Sequence, residues 1–190
     1  MNARTNLTGH VSEELLNQLT DVKHHYIESE HPNHHWHLLP VTDEVVLDLG
    51  CGFHLIEPGW ETTPEYFLNK GAKKIVGVDP EHSDIERFKT LLPEHDFYCA
   101  AITNTNELDY YIDKHNVTSL KMDIEGYETC FINSENTYPT LKHVAIESHS
   151  KDILNGIITK LLELGFTIDT VCTFYPRVFD ICNLVYASRK

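Results

Sequence analysis

From residue 44 onward the hydrophobic pattern alternates between two periods. Short, nearly continuous apolar runs rich in β-branched residues read as strands buried on both faces. They fall at 44–49, 74–78, 97–102, 119–124 and 144–147, and two more β-rich runs follow at 166–174 and 182–188. Between them the apolar residues recur at helical spacing. A helix is predicted over 63–70, with Pro64 at its first position and Gly71 to stop it. Ser83-Asp84-Ile85-Glu86 has the form of a capping box and opens a helix over 84–92. Helices are also predicted over 107–115 and 127–133. The clearest amphipathic face, Ile153, Leu154, Ile157, Ile158, Leu161 and Leu162, ends at Gly165. Before residue 44, Leu15, Leu16, Leu19, Val22, Tyr26 and Ile27 predict one helix, capped by Ser12 and ended before Pro32.

Strands that alternate with helices imply a parallel sheet with right-handed crossovers. The last two β runs have only a Tyr175-Pro176-Arg177 loop between them and must pair antiparallel. The expected fold is therefore α/β and doubly wound, with helices on both faces of a mostly parallel sheet and one reversed strand near an edge. With no repeat, linker or low-complexity block, one domain is expected over 1–190: an N-terminal helix and His-rich loop over 1–40, then a core over 44–190.

Charge narrows the function classes. The chain carries 15 basic against 29 acidic residues, a formal −14, which argues against a surface that tracks phosphates, so nucleic acid is not an expected partner. Five cysteines form no CxxC pair; Cys99, Cys172 and Cys182 lie in apolar runs, which fits buried reduced thiols and a cytoplasmic protein. No apolar run approaches the ~20 residues that span a bilayer, so no membrane is expected. His31, His34, His35 and His37, preceded by His24-His25, read as a polar loop or as a metal site, without the spacing of a structural zinc module.

The chemistry centres on Val45-Val46-Leu47-Asp48-Leu49-Gly50-Cys51-Gly52. A buried strand ends in an acid, and two glycines let the backbone turn and approach a ligand. Asp79 ends the second strand, 31 residues after Asp48, where it can accept hydrogen bonds from ribose hydroxyls. Leu55 stands where the third glycine of a dinucleotide fingerprint belongs. That absence favours a nucleoside ligand without a pyrophosphate.

Asp48-Leu49-Gly50-Cys51-Gly52 together with Val76-Gly77-Val78-Asp79 resembles the first two motifs of Rossmann-like S-adenosylmethionine-dependent methyltransferases. Leu120-Lys121-Met122-Asp123-Ile124-Glu125-Gly126-Tyr127-Glu128 resembles the K-x-D-x-E-G-x-E signature of the FkbM-like family, and Ala145-Ile146-Glu147-Ser148-His149 is similar to its I-E-x-H strand end. The four motifs cover residues 44–150. The resemblance implies a seven-stranded sheet of order 3-2-1-4-5-7-6 with the last strand antiparallel. It implies S-adenosylmethionine as cofactor and methylation of a hydroxyl oxygen on a small molecule or saccharide. Asp48, Gly50, Cys51 and Gly52 would border the methionine part, Asp79 would hold the ribose, and Ala101 and Ile102 would flank the adenine. The chain departs from the family at Cys51-Gly52, where an Asn is common, and in the long stretch from Asp48 to Asp79. An insertion around 54–63 carries His54, Glu57 and Trp60, which would line an acceptor pocket, form a lid or merely decorate the surface.

Asp123 and Glu125 end the fourth strand, Glu147 and His149 the fifth, and adjacent parallel strands bring these ends into one cleft. O-methylation needs a base for the hydroxyl proton and in-line alignment with the methyl group. Asp123 is the first candidate for base or acceptor-orienting group and His149 the second; Glu125 and Glu147 orient or bind, or else serve only the local backbone. No residue is assigned as a metal ligand, although two carboxylates with His149 could hold a divalent cation. Three readings stay open beside the methyltransferase: a nucleotide-dependent oxidoreductase, a cofactor-binding module without catalysis, and a metal-binding protein using its 13 histidines.

Overall fold

Eight strands form one sheet in the computed structural model, which describes residues 22–26, 36–52, 61–177 and 180–189 together with Ser12, Leu15 and Leu19. They are β1 (Lys23–Tyr26), β2 (Val45–Leu49), β3 (Lys74–Asp79), β4 (Asp96–Cys99), β5 (Ser119–Met122), β6 (His143–Ser148), β7 (Thr167–Arg177) and β8 (Asp180–Ser188). The helices are α1 (Thr63–Asn69), α2 (His82–Leu91), α3 (Thr105–His115), α4 (Thr129–Ile132) and α5 (Lys151–Glu163). The sheet order is β1-β7-β8-β6-β5-β2-β3-β4, and β8 runs antiparallel to both its neighbours. Without β1, this is the expected seven-stranded order 3-2-1-4-5-7-6.

Each strand of the centre feeds two cores because its side chains alternate across the sheet. Leu47, Leu49, Leu120, Met122 and Ile146 pack toward α3, α4 and α5, against Ile112, Phe131, Ile157 and Leu161. Val46, Ile75 and Ala145 pack on the other side against Phe67 of α1, Ile85 and Phe88 of α2, and Trp36. Each fully buried aliphatic or Phe side chain of these layers contributes about 1.5–3 kcal/mol. Doubly buried strands therefore read as apolar runs, and the pattern placed them correctly. Among the described residues, no helix is long and apolar enough to cross a membrane.

Four local readings change. The N-terminal helix does not run to Ile27. Ser12 does cap a turn, its Oγ accepting from the Leu15 N–H (3.3 Å), and Leu15, Leu19 and Val22 are buried, but Lys23–Tyr26 pair parallel with Thr170–Thr173 as an added edge strand. Pairing with an exposed sheet edge overrides the helical spacing there. The Tyr175-Pro176-Arg177 stretch is not a loop: β7 continues through it to pair Arg177 with Asp180, and a register shift between Phe174 and Arg177 accommodates the proline. Helix α2 begins at His82 rather than Asp84, because Glu81 and not Ser83 is its cap, accepting from the Ser83 N–H. Cys99, expected to be buried, is exposed where β4 ends; Cys51, Cys130 and Cys172 are buried free thiols. His31, His34 and His35, and His54, Glu57 and Trp60 of the insertion, lie outside the described residues.

Candidate active site

The carboxyl ends of β2, β3, β4 and β5 open into one cavity of about 380 Å³, within the ~300–1,000 Å³ of small-molecule sites. Gly50 and Gly52 form its floor. Gly50 has φ +72°, and a Cβ there would stand 1.8 Å from the Asp123 carbonyl oxygen, so β2 turns directly over the end of β5. A Cβ on Gly52 would stand 2.5 Å from Asp79 Oδ2. Instead the Gly52 N–H donates to Asp79 Oδ2 (2.7 Å) and the Glu81 N–H to Oδ1 (2.8 Å). Two backbone amides thus fix the Asp79 carboxylate at the cavity wall, each oxygen keeping a further lone pair. Ala101, Ile102, Val78 and Pro80 give the cavity its apolar lining, and Tyr127, half exposed, also lines it.

Asp48 and Cys51 lie beneath this surface. Neither is exposed, and burial pushes the Cys51 thiol well up, with the Asp48 and Asp79 charges adding to the effect. Asp48 pairs in register with Lys121 of β5. The Lys121 Nζ lies 3.0 Å from Asp48 Oδ1, donates to the carbonyls of Leu49 (3.1 Å) and Gly50 (2.7 Å), and sits 5.0 Å from the centre of the Trp36 ring. Burial works against this ammonium, but the charges of Asp48 and Asp123 outweigh it and hold Lys121 above its ordinary pKa. The glycine turn is therefore clamped from below by a buried cation.

Asp123, Glu125, Glu147 and His149 do meet. The His149 Nε2 lies 3.7 Å from Asp123 Oδ1, 3.5 Å from Glu125 Oε2 and 3.6 Å from Glu147 Oε1. Its Nδ1 is 3.1 Å from Glu128 Oε1, a residue with no exposed surface. The same Glu128 oxygen accepts from the N–H groups of Ile124 and Gly126, which ties the turn after β5 to the histidine. Within that turn Glu125 has φ +53° and Gly126 φ +100°. The Glu128 hydrogen bond pushes His149 up to about 9; burial opposes this, and the charges of Glu128, Glu147 and Asp123 add to it. Burial raises the Asp123 carboxyl above its ordinary value, against the pull of Lys121 and His149. Asp123 and Glu125 face the cavity, while Glu147 is buried beside it.

Sequence reasoning gave no role to Lys121 or Glu128, although both stand in the quoted motif. The signal for Lys121 was a charge inside an otherwise apolar strand, which in a doubly covered sheet needs an acid on the next strand. Glu128 carried no such mark, because it enters the site only through the tight turn at Glu125-Gly126.

No protein-family model matches the chain, and no curated protein matches it. Solved structures do. A candidate RNA methyltransferase, PH1948 of Pyrococcus horikoshii, is 14% identical, with 78% of this chain and 76% of that one covered at a TM-score of 0.53. A candidate tRNA (m1A22) methyltransferase of Streptococcus pneumoniae is 12% identical over 78% of this chain, which spans only 64% of its length, at a TM-score of 0.54. An S-adenosylmethionine-dependent methyltransferase of Mesorhizobium loti is 15% identical, with 81% and 95% covered at a TM-score of 0.51. At such identities the likeness concerns architecture: the chain has the Rossmann-like fold found in S-adenosylmethionine-dependent methyltransferases.

Proposed function

We propose that the chain is an S-adenosylmethionine-dependent methyltransferase acting on a hydroxyl of a small molecule or saccharide. The observation that carries this is the charge of the cavity. Asp79, Asp123 and Glu125 line it, and no Lys or Arg stands among its described lining residues. Such a wall favours a cationic ligand and opposes a pyrophosphate, which speaks against the dinucleotide-dependent reading, as does the missing third glycine. S-adenosylmethionine supplies a methyl group on a positively charged sulfur.

In this reading Asp79 holds the ribose hydroxyls with the lone pairs left over from Gly52 and Glu81. Ala101 and Ile102 flank the adenine, and Gly50 and Gly52 admit the methionine part. Asp48 and Cys51 act from beneath, Asp48 by fixing the turn through Lys121. Asp123, with its raised pKa, takes the proton of the acceptor hydroxyl. In the cation-free site His149 is charged at neutral pH and acts on Asp123 through that charge across 3.7 Å. The FkbM-like motif over 120–128 supports oxygen as the acceptor atom, and the net charge of −14 supports a small acceptor over RNA.

Calorimetric titration with S-adenosylhomocysteine tests the cofactor half: saturable binding is expected, with Asp79→Ala weakening it more than Asp123→Ala. Folded protein that ignores S-adenosylhomocysteine, or that enhances NADH fluorescence, overturns the reading. A panel of hydroxylated metabolites, saccharides and RNA tests the acceptor; methylation of RNA alone overturns that half.

A further inference from the structure

We propose that Asp123, Glu147 and His149 bind one divalent cation of the oxygen- and imidazole-accepting class, Mn²⁺ or Mg²⁺, at the edge of the cavity. Binding follows from the geometry alone; only its chemical use rests on the methyltransferase reading.

One ligand atom from each of these residues lies within 4.8 Å of the others. The Nε2–Oδ1 and Nε2–Oε1 separations of 3.7 and 3.6 Å are wider than the ~3.0 Å between adjacent ligands of an octahedral ion, so the side chains would draw in by roughly half an ångström to hold one. These separations are too long for hydrogen bonds. A single N–H at Nε2 cannot serve Asp123, Glu125 and Glu147 together, whereas a cation among them attracts all three.

A second observation is independent of the ligand set. The Nδ1 of His149 is engaged by Glu128, a carboxylate without exposed surface that two backbone amides hold in place. This carboxylate–imidazole pair is what fixes ring orientation and tautomer in metal-bound histidines, leaving Nε2 to face the ion. Glu128 Oε2 is buried and has no hydrogen-bond partner, so the imidazole is the one positively charged group that the described structure bonds to this carboxylate. Among the described residues, four carboxylates surround this one histidine, an excess of negative charge at the cluster. The nearby ammonium of Lys121 is already committed to Asp48 and two carbonyls.

The donor set, two carboxylates and one imidazole with no thiolate, suits Mn²⁺ and disfavours ions that seek thiolates. Three protein ligands leave coordination positions open, and Asp123 puts the ion against the cavity. An oxygen bound at an open position would lose its proton more readily.

Mn²⁺ titration of the metal-free full chain, followed by the electron paramagnetic resonance of free Mn²⁺ and without any cofactor, tests the site. One Mn²⁺ per chain is expected. Glu147→Gln and His149→Ala should each weaken it at least 10-fold, and Glu128→Gln roughly 10- to 100-fold. Changing His34, His35 and His37 together to Ala should leave it intact. Folded wild-type protein that binds no Mn²⁺, or binding unchanged in Glu147→Gln, overturns the site, as does binding lost with the three N-terminal histidines. S-adenosylhomocysteine titrated on the same sample separates the two ideas: binding of it without Mn²⁺ removes only the cation site, and the reverse removes only its use in methyl transfer.

Discussion

Two clusters of charge sit at the ends of neighbouring strands, and they are built in opposite ways. Asp48 and Lys121 form a sealed pair, 0% and 1% exposed, in which one acid meets one base and the ammonium also donates to two carbonyls. Asp123, Glu125, Glu128 and Glu147 surround a single imidazole, and Glu125 is 87% exposed. In the first, charge is balanced where it is buried, and the product is a rigid glycine turn. In the second, acids outnumber the base, so the cluster holds protons tightly and attracts cations. Only one residue, Met122, separates Lys121 from Asp123. Register along one strand therefore decides which acid is scaffold and which is available for chemistry.

The sharpest way to break the comparison is Lys121→Met. It leaves Asp48 buried without a counter-charge and should destabilise the protein by about 3–5 kcal/mol in urea unfolding. Adding Asp48→Leu should restore much of that, because the unpaired charge is gone. A loss below ~1 kcal/mol for Lys121→Met would mean that the sealed pair is not what holds the turn.

Gly52→Ala acts at the boundary between the clusters. Its methyl group would displace a carboxylate that two backbone amides hold, and overpacking of this kind costs about 1–3 kcal/mol. Taken from ligand affinity, that is roughly a 5- to 150-fold weaker S-adenosylhomocysteine dissociation constant by calorimetry. Unchanged affinity would place the ligand away from the Gly52–Asp79 contact.

The open cluster should reveal itself by titration in metal-free buffer. His149 is raised to about 9 in the folded chain, against about 6.5 unfolded. A raised pKa stabilises the fold fully below about pH 6.5, and the contribution disappears as pH rises through about 9. His149 is 20% exposed and partly screened, so the loss across that window should be on the order of 1 kcal/mol. Glu128→Gln should move the imidazole resonance, followed by NMR, toward its ordinary midpoint. An imidazole that already titrates near 6.5 in the wild-type chain would show that the carboxylates do not act on it.

The two clusters also differ in how far they can be read from the chain. Val45–Leu49, Lys74–Asp79 and His143–Ser148 were legible because burial on both faces removes alternation and leaves an apolar run. Asp79 and Asp123 were legible as acids at strand ends, where an α/β sheet presents its ligands. Glu128 was not, because its approach to His149 depends on Glu125 and Gly126 both adopting positive φ, and Glu125 is of a residue type for which nothing predicts it. β1 was not, because a strand added to an edge is decided by Thr170–Thr173, almost 150 residues away, and not by Lys23–Tyr26 themselves. Local patterns convey burial; they do not convey partners that arrive late in the chain.

Glu125 offers the finest test of the contrast. Its φ of +53° costs an L-residue about 1–2 kcal/mol relative to right-handed backbone, and its carboxylate is mostly in water. Glycine would remove that strain but would lose more entropy on folding, about 0.5–1 kcal/mol. Glu125→Gly should therefore stabilise the protein by about 0.5 kcal/mol in urea unfolding, since an ion pair this exposed returns little. The variant should also hold Mn²⁺ nearly as well as wild type, because Glu125 stands outside the three-residue ligand set. If it destabilises the chain instead, the contact with His149 outweighs the backbone strain. The open cluster would then be held together by its charges much as the sealed one is, and the distinction between scaffold and chemistry would fail at this residue first.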